Sequence, residues 1–215
     1  MKIKWLAHAC FLITSRAGTR IITDPYATGS GLNFGPITES ADVVTSSHDH
    51  FDHNNDAAVK GKPQVVQGVG QHHAKGLDIL GVATFHDYAR GGARGPNTVF
   101  RLTVDGVRVC HSGDLGHTLT PEQVAEIGPV DVLLVPVGGT YTLDAAGATE
   151  LSSQLRPRMV IPMHFKTKGC GLPIGGVDAF IKGQTSVRHV SGSEVEVTAQ
   201  TLPPSCQIVV LTPAL

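Results

Sequence analysis

The stretch Ser46-Ser47-His48-Asp49-His50-Phe51-Asp52-His53-Asn54 decides the reading of this chain. Three histidines and two aspartates fall within six residues, directly after Asp42–Thr45, a short run read as a buried strand. In an extended segment side chains alternate, so His48, His50 and Asp52 project to one side, and His53 points away unless the chain turns. The cluster therefore suits a loop at a strand end. A helical metalloprotease motif would need histidines at i and i+4 with Glu after the first, and those positions hold Asp52 and Asp49 instead. Mixed imidazole and carboxylate donors without thiolate suit zinc, and also manganese or iron. Four donors this close cannot all hold one ion and leave a substrate position, so two adjacent divalent ions are expected.

Composition sets the bounds around this motif. The chain has 215 residues, 41% of them hydrophobic, and a formal net charge of −1. That length forms a full core within one domain, residues 1–215, and the apolar content excludes disorder. A charge near zero gives no electrostatic footprint for nucleic acid or a membrane surface. Eleven histidines are many for such a chain, and histidine is the commonest metal ligand. Cys10, Cys110, Cys170 and Cys206 are too scattered for a zinc ribbon or a disulfide framework; they read as small buried hydrophobes in a cytoplasmic protein. The opening MKIKWLAHACFLI imitates a secretory leader, but it carries His8 in mid-run and continues into alternating strand-like sequence, so it reads as the first strands of the fold. No apolar run approaches the roughly 18 residues that would span a bilayer.

Outward from the motif, Lys2–Leu6, Cys10–Thr14 and Arg20–Thr23 read as strands, and Asp24–Ser40, rich in Gly and Pro, as a loop. A helix is expected over Asn55–Val59, a helical turn over His72–Leu80, and strands at Val65–Val66 and Val82–Phe85. Thr98–Val104 and Val107–His111 form a hairpin about Asp105-Gly106. Helices are expected at Pro121–Ile127, capped by Thr120, and at Asp144–Leu155, with buried strands at Val130–Val135 and Met159–Pro162. The tail reads as a helix near Val177–Lys182 and strands near Val187–Val190, Glu194–Thr198 and Gln207–Leu211. This is an α/β chain.

The pattern His48-x-His50-x-Asp52-His53 after a short strand resembles the metallo-β-lactamase-fold superfamily, and the resemblance covers nearly the whole chain. Asp24 matches the family's first acid, His86 in ATFHDYARG its third histidine motif, Asp114 in CHSGDLG its bridging aspartate, and His164 in VIPMHFK its last histidine. WLAHACFLI, CHSGDLG and PMHFKT are similar to small hydrolases grouped with ascorbate-6-phosphate lactonase. The resemblance implies a four-layer αββα sandwich. It implies that His48, His50 and His86 hold one ion, that Asp52, His53 and His164 hold the other, and that Asp114 bridges them. A hydroxide shared by two cations would then attack a carbonyl or phosphorus, because the metals lower the pKa of water from about 15.7 towards about 7. Asp52 or Asp114 is expected to relay the proton, and Asp24 to orient a ligand.

His111, three residues before Asp114, competes with His86 for the third-histidine role. His8, near the first hairpin tip, and His117, after the Asp114 loop, are candidates for the site's rim. Arg90 and Arg94 in the glycine-rich loop after His86, with Lys166 and Lys168 after His164, are candidates for gripping an anionic substrate. His72, His73 and His189 read as ordinary. The expected activity is hydrolysis of a small anionic ester, lactone or phosphodiester. The competing classes are a nuclease of the same fold, a diiron redox protein and a non-catalytic metal scaffold. The expected partner is a small molecule, with self-association left open.

Overall fold

Ile21 and Ile22 are neighbours on one strand, yet they enter different cores, and the same holds for Val43 and Val44. That alternation is what a strand with two buried faces requires. The computed structural model, which describes residues 1–215, gives two sheets packed face to face. The first half contributes β1 (Lys2–Ala7), β2 (Cys10–Thr14), β3 (Arg20–Thr23), β4 (Val43–Ser46), β5 (Gln64–Gln67), β6 (Gly70–Ala74) and β7 (Leu77–Phe85). Then come β8 (Pro96–Val104), β9 (Val107–His111), α1 (Pro121–Ile127), β10 (Val132–Pro136), α2 (Ala145–Leu155) and β11 (Met159–Met163). The tail adds α3 (Asp178–Ile181), β12 (Val187–His189), β13 (Glu194–Glu196) and β14 (Gln207–Val210).

One sheet has the order β13-β1-β2-β3-β4-β5, the other β12-β14-β11-β10-β9-β8-β7-β6. Ile3, Trp5, Phe11, Ile13, Ile21 and Val43 from the first belong to one core with Phe100, Leu102, Leu134 and Ile161 from the second. Every residue of β10 and β11 is buried, in keeping with their continuous apolar sequence. α1 and α2 pack on the second sheet, against β7 and β10, and α3 packs on α2. Over the first sheet the outer layer is mostly loop: Tyr26, Leu32, Phe34 and Ile37 cover Leu6, Cys10, Ile22 and Val44. The αββα sandwich is thus present with a thin layer on that side.

Three local expectations fail. The helical turn over His72–Leu80 is a hairpin, β6 and β7 paired antiparallel with His72 opposite Ile79 and His73 opposite Asp78. Ala74, Leu77 and Ile79 are buried while His73 and Asp78 are exposed, a two-residue period, and Lys75-Gly76 takes positive φ at both positions as a tight hairpin turn demands. The helix over Asn55–Val59 is only a 3₁₀ turn, Asp56–Ala58, with no buried residue to anchor more. Cys206 is exposed, unlike the three buried cysteines. Thr120 caps α1 as expected, with Gln123 reciprocating.

The direction of the strands fixes the functional end. β3 and β4 are parallel, β1 runs with β3, and in the second sheet β7, β9, β10 and β11 share one direction. Asp24 follows β3, the histidine motif follows β4, His86 follows β7, Asp114 lies just past β9 and His164 follows β11. The segments after these carboxyl-terminal strand ends converge, where open α/β sheets place their ligands. No helix is long and apolar enough to cross a membrane.

Candidate metal centre

His48 Nε2 and His50 Nδ1 lie 3.1 Å apart, and His86 presents its donor atom to the same space. The ring centroids are 4.5 Å apart for His48 and His50, 4.8 Å for His48 and His86, and 5.2 Å for His50 and His86. With metal–nitrogen bonds of about 2.0–2.1 Å and angles of about 90–110°, two imidazoles on one ion hold their centroids about 4.5–5.2 Å apart. This trio has that spacing. A second group, Asp52, His53 and His164 together with His8, also brings its donor atoms into one space. Asp114 Oδ2 lies between the groups, 3.2 Å from the Nε2 of both His53 and His86 and 3.3 Å from that of His164.

Asp24 organises both groups from beneath. Its carboxylate is fully buried and takes three donors: Ser47 N–H at 2.8 Å, Ser47 O–H at 2.6 Å and His53 Nδ1–H at 2.8 Å. Ser47 Oγ in turn accepts from His48 Nδ1 at 2.9 Å. Both histidines are therefore anchored through Nδ1–H, with Nε2 turned to the cluster. His86 reaches the same state by donating Nδ1–H to the carbonyl of Tyr141. Anchoring the far nitrogen of each imidazole is how proteins orient metal ligands.

The electrostatics fit a cation. Asp24, Asp52 and Asp114 converge, and none is paired with a lysine or arginine. Burial, reinforced by His53, lowers the pKa of His48 to about 3, and burial beside His86 lowers that of His50. Neutral imidazole is the form that ligates. Burial opposes charge on His53 too, but Asp114 and Asp24 outweigh it and hold its pKa well above the usual range. The carboxylates that keep a proton there also favour a metal cation there. His53 Nε2, His164 Nδ1 and Asp114 Oδ1 are buried without a hydrogen-bond partner, a costly condition for polar atoms unless a ligand or ion satisfies them.

Other candidates sort by position. His111 donates Nε2–H to Ala9 O at 2.8 Å and accepts from Gly113 N at 3.2 Å, so both nitrogens are used and His86 is the histidine in the cluster. Arg94 lines a cleft of about 470 Å³ over the cluster, with Ser30, Phe51, Tyr141 and Leu172 on its walls. Arg90 and His117 line a separate small groove, and both ring nitrogens of His117 are engaged by the backbone. Lys166 donates to the carbonyl of Leu172, whereas Lys168 lines another groove beside Phe165 and Leu215. His8 is buried inside the cluster rather than at its rim. Two supporting residues escape a reading by spacing. Asp87 accepts four backbone N–H groups, from Ala89, Gly91, Ala93 and Arg94, and so shapes the loop that carries Arg94. Asn97 accepts the N–H of Asp114 at 3.0 Å.

The fold and site together define a class, the metal-dependent hydrolases of the metallo-β-lactamase superfamily, and the sequence comparisons agree. A family model described as the β-lactamase superfamily domain matches residues 2–164, and the chain belongs to that superfamily. It is 31% identical over 194 residues to a UPF0173 metal-dependent hydrolase of Carboxydothermus hydrogenoformans, covering 78% of this chain and 85% of the relative. A crystal structure of a candidate zinc-dependent hydrolase of the superfamily from Thermotoga maritima is 42% identical, with a TM-score of 0.82 over 98% of this chain and 97% of that one. Igni18, a metallo hydrolase from Ignicoccus hospitalis, is 26% identical with a TM-score of 0.57, covering 77% of this chain and 82% of its own.

Proposed function

We propose that the enzyme is a two-metal hydrolase of small anionic esters, lactones or phosphodiesters. The observation that carries this reading is the position of Asp114 Oδ2, within 3.3 Å of histidines from both groups. His48, His50 and His86 would hold one ion, Asp52, His53 and His164 the other, and Asp114 both; zinc suits these donors best. Bound divalent ions would supply Lewis acidity and make water nucleophilic at neutral pH. The chain's own groups do the rest. Arg94 Nη2 is anchored on the Thr140 carbonyl at 3.2 Å and its guanidinium lies 5.5 Å from the Tyr141 ring centroid, so its charge is held at the cleft for a substrate carboxylate or phosphate. Phe51 and Leu172 offer apolar wall to the remainder. Asp114 Oδ1, without a partner, would take the proton of the attacking water, with Asp52 the other carboxylate facing the cleft. A cleft of about 470 Å³ suits a small molecule better than a polymer.

The test is metal analysis followed by a hydrolysis screen of zinc- or manganese-loaded protein against lactones, thioesters and phosphodiesters. Two ions per chain and a hit abolished by Asp52→Ala support the reading. Redox-active iron pairs, or less than one tightly held ion, would sink it in favour of an oxidoreductase or a scaffold.

A further inference from the structure

His8 occupies the two-residue turn between β1 and β2 with φ at +54°, a left-handed backbone region that few non-glycine residues adopt. Such conformations persist where the surroundings enforce them, often at functional sites. Here the enforcement is visible. The His8 carbonyl accepts from Trp5 Nε1 at 2.9 Å and from His164 N at 3.1 Å, which ties the turn to the strand end carrying His164. The side chain is buried, and its Nε2 lies 3.2 Å from Asp52 Oδ2.

Two roles fit an imidazole in that place, a further ligand or a support for Asp52. Ring spacing separates them. His8 and His164 have centroids 4.0 Å apart, shorter than the 4.5 Å of the tightest pair in the three-histidine group. Two rings on one ion cannot approach below about 4.5 Å at ordinary angles. His8 therefore packs against the His164 ring instead of sharing an ion with it. We propose that His8 is a positioning residue: it donates Nε2–H to Asp52 Oδ2, fixes that carboxylate's rotamer, and braces His164 by ring contact. Asp52 and His164 are the two members of their group that the Asp24 network does not reach. His8 thus does for them what Asp24 does for His48 and His53. The inference rests on the assignment of Asp52 and His164 to the second ion.

The tautomer of His8, read by long-range ¹H–¹⁵N correlation in zinc-free and zinc-loaded protein, tests it directly. Donation to Asp52 requires the Nε2–H tautomer in both states, whereas ligation through Nε2 requires Nδ1–H in the loaded state. Alongside, Zn²⁺ titration by calorimetry should show the second site weakened by about 10–100-fold in His8→Phe, the usual cost of losing such a support. His8→Gln, whose amide N–H reaches a comparable position, should stay near wild type. An Nδ1–H tautomer in the loaded protein, undiminished affinity in His8→Phe, or equal loss in both variants would overturn the role. Fewer than two zinc ions on the wild-type protein would overturn the two-ion reading instead, and the zinc-free tautomer would still report whether His8 holds Asp52.

Discussion

Asp24 and His53, 29 residues apart in sequence, meet at 2.8 Å with both side chains fully buried. Through Ser47, the same carboxylate also sets the tautomer of His48. Asp24→Asn would turn an amide N–H₂ towards a pocket in which three donors converge, so at least one would lose its acceptor. The expected result is a fall of about 10–100-fold in zinc affinity, measured by competition with a chromophoric chelator. Asp24→Ala should also destabilise the fold by about 3–5 kcal/mol in urea melts, because the partners stay buried without a counter-charge.

Gly116 lies against the carbonyl of His86, and a Cβ at Gly116 would overlap that backbone. Its N–H donates to Phe85 O at 3.0 Å, which fastens the loop to the end of β7. Gly116→Ala must push the His86 backbone aside, at a cost of about 1–3 kcal/mol of stability. Weaker cobalt binding at the three-histidine group, beyond what thermal melting explains, is the expected signature, read from the absorption bands during cobalt titration.

Asp87 holds the loop that presents Arg94. Burial raises its pKa, but the N–H groups of Arg94, Ala93, Gly91 and Ala89 outweigh burial and keep it below the usual carboxylate value. For an anionic substrate found in the screen, Arg94→Gln should raise KM about tenfold, the worth of one charge-assisted hydrogen bond, with kcat little changed. Asp87→Asn should move KM the same way but less, since the arginine stays while its backbone loosens. Arg90→Gln, in the neighbouring groove, should leave KM unchanged. An equal effect of Arg90→Gln would show that the loop closes over substrate as a whole.

Away from the site, Asp131 accepts from Arg108 through its backbone N–H and both guanidinium arms, at 2.7–2.8 Å. These bonds, against the opposing effect of burial, hold the Asp131 carboxyl below its ordinary 3.8. A depressed carboxyl stabilises the fold above its unfolded pKa, and that contribution is lost as pH falls through the lower folded value. Asp131→Asn should therefore cost about 1–2 kcal/mol at pH 7, the lower figure reflecting screening around the half-exposed arginine. The difference from wild type should shrink as pH drops below about 4. A difference that stays constant with pH would rule out the charge as its source.

The site was legible where its residues are neighbours. His48, His50, Asp52 and His53 lie on one loop, and their spacing alone announces convergent donors. His86, Asp114 and His164 were reached through resemblance, because nothing local marks any one of them as a partner of His48. The same limit explains the misplaced cations. Lys166 and Lys168 are two residues apart after β11, yet one is tethered to the Leu172 carbonyl and the other faces a different groove. The hairpin at His72–Leu80 escaped because its few apolar residues are broken by Gly and paired histidines, and only pairing with β8 makes the two-residue period decisive.

Sequence by itself determined the α/β class, most of the strands and the chemical character of the donors, since these follow from residue type and short-range period. Tertiary structure decided which donors share a space. It engaged both nitrogens of His111 while leaving His86 one lone pair for the cluster, and it brought His8 to Asp52 across 44 residues. It also set Asp24 beneath two histidines at once. Hydrogen bonds and ring contacts act over a few ångströms, and only the parallel strand ends of two packed sheets bring such distant residues within that range.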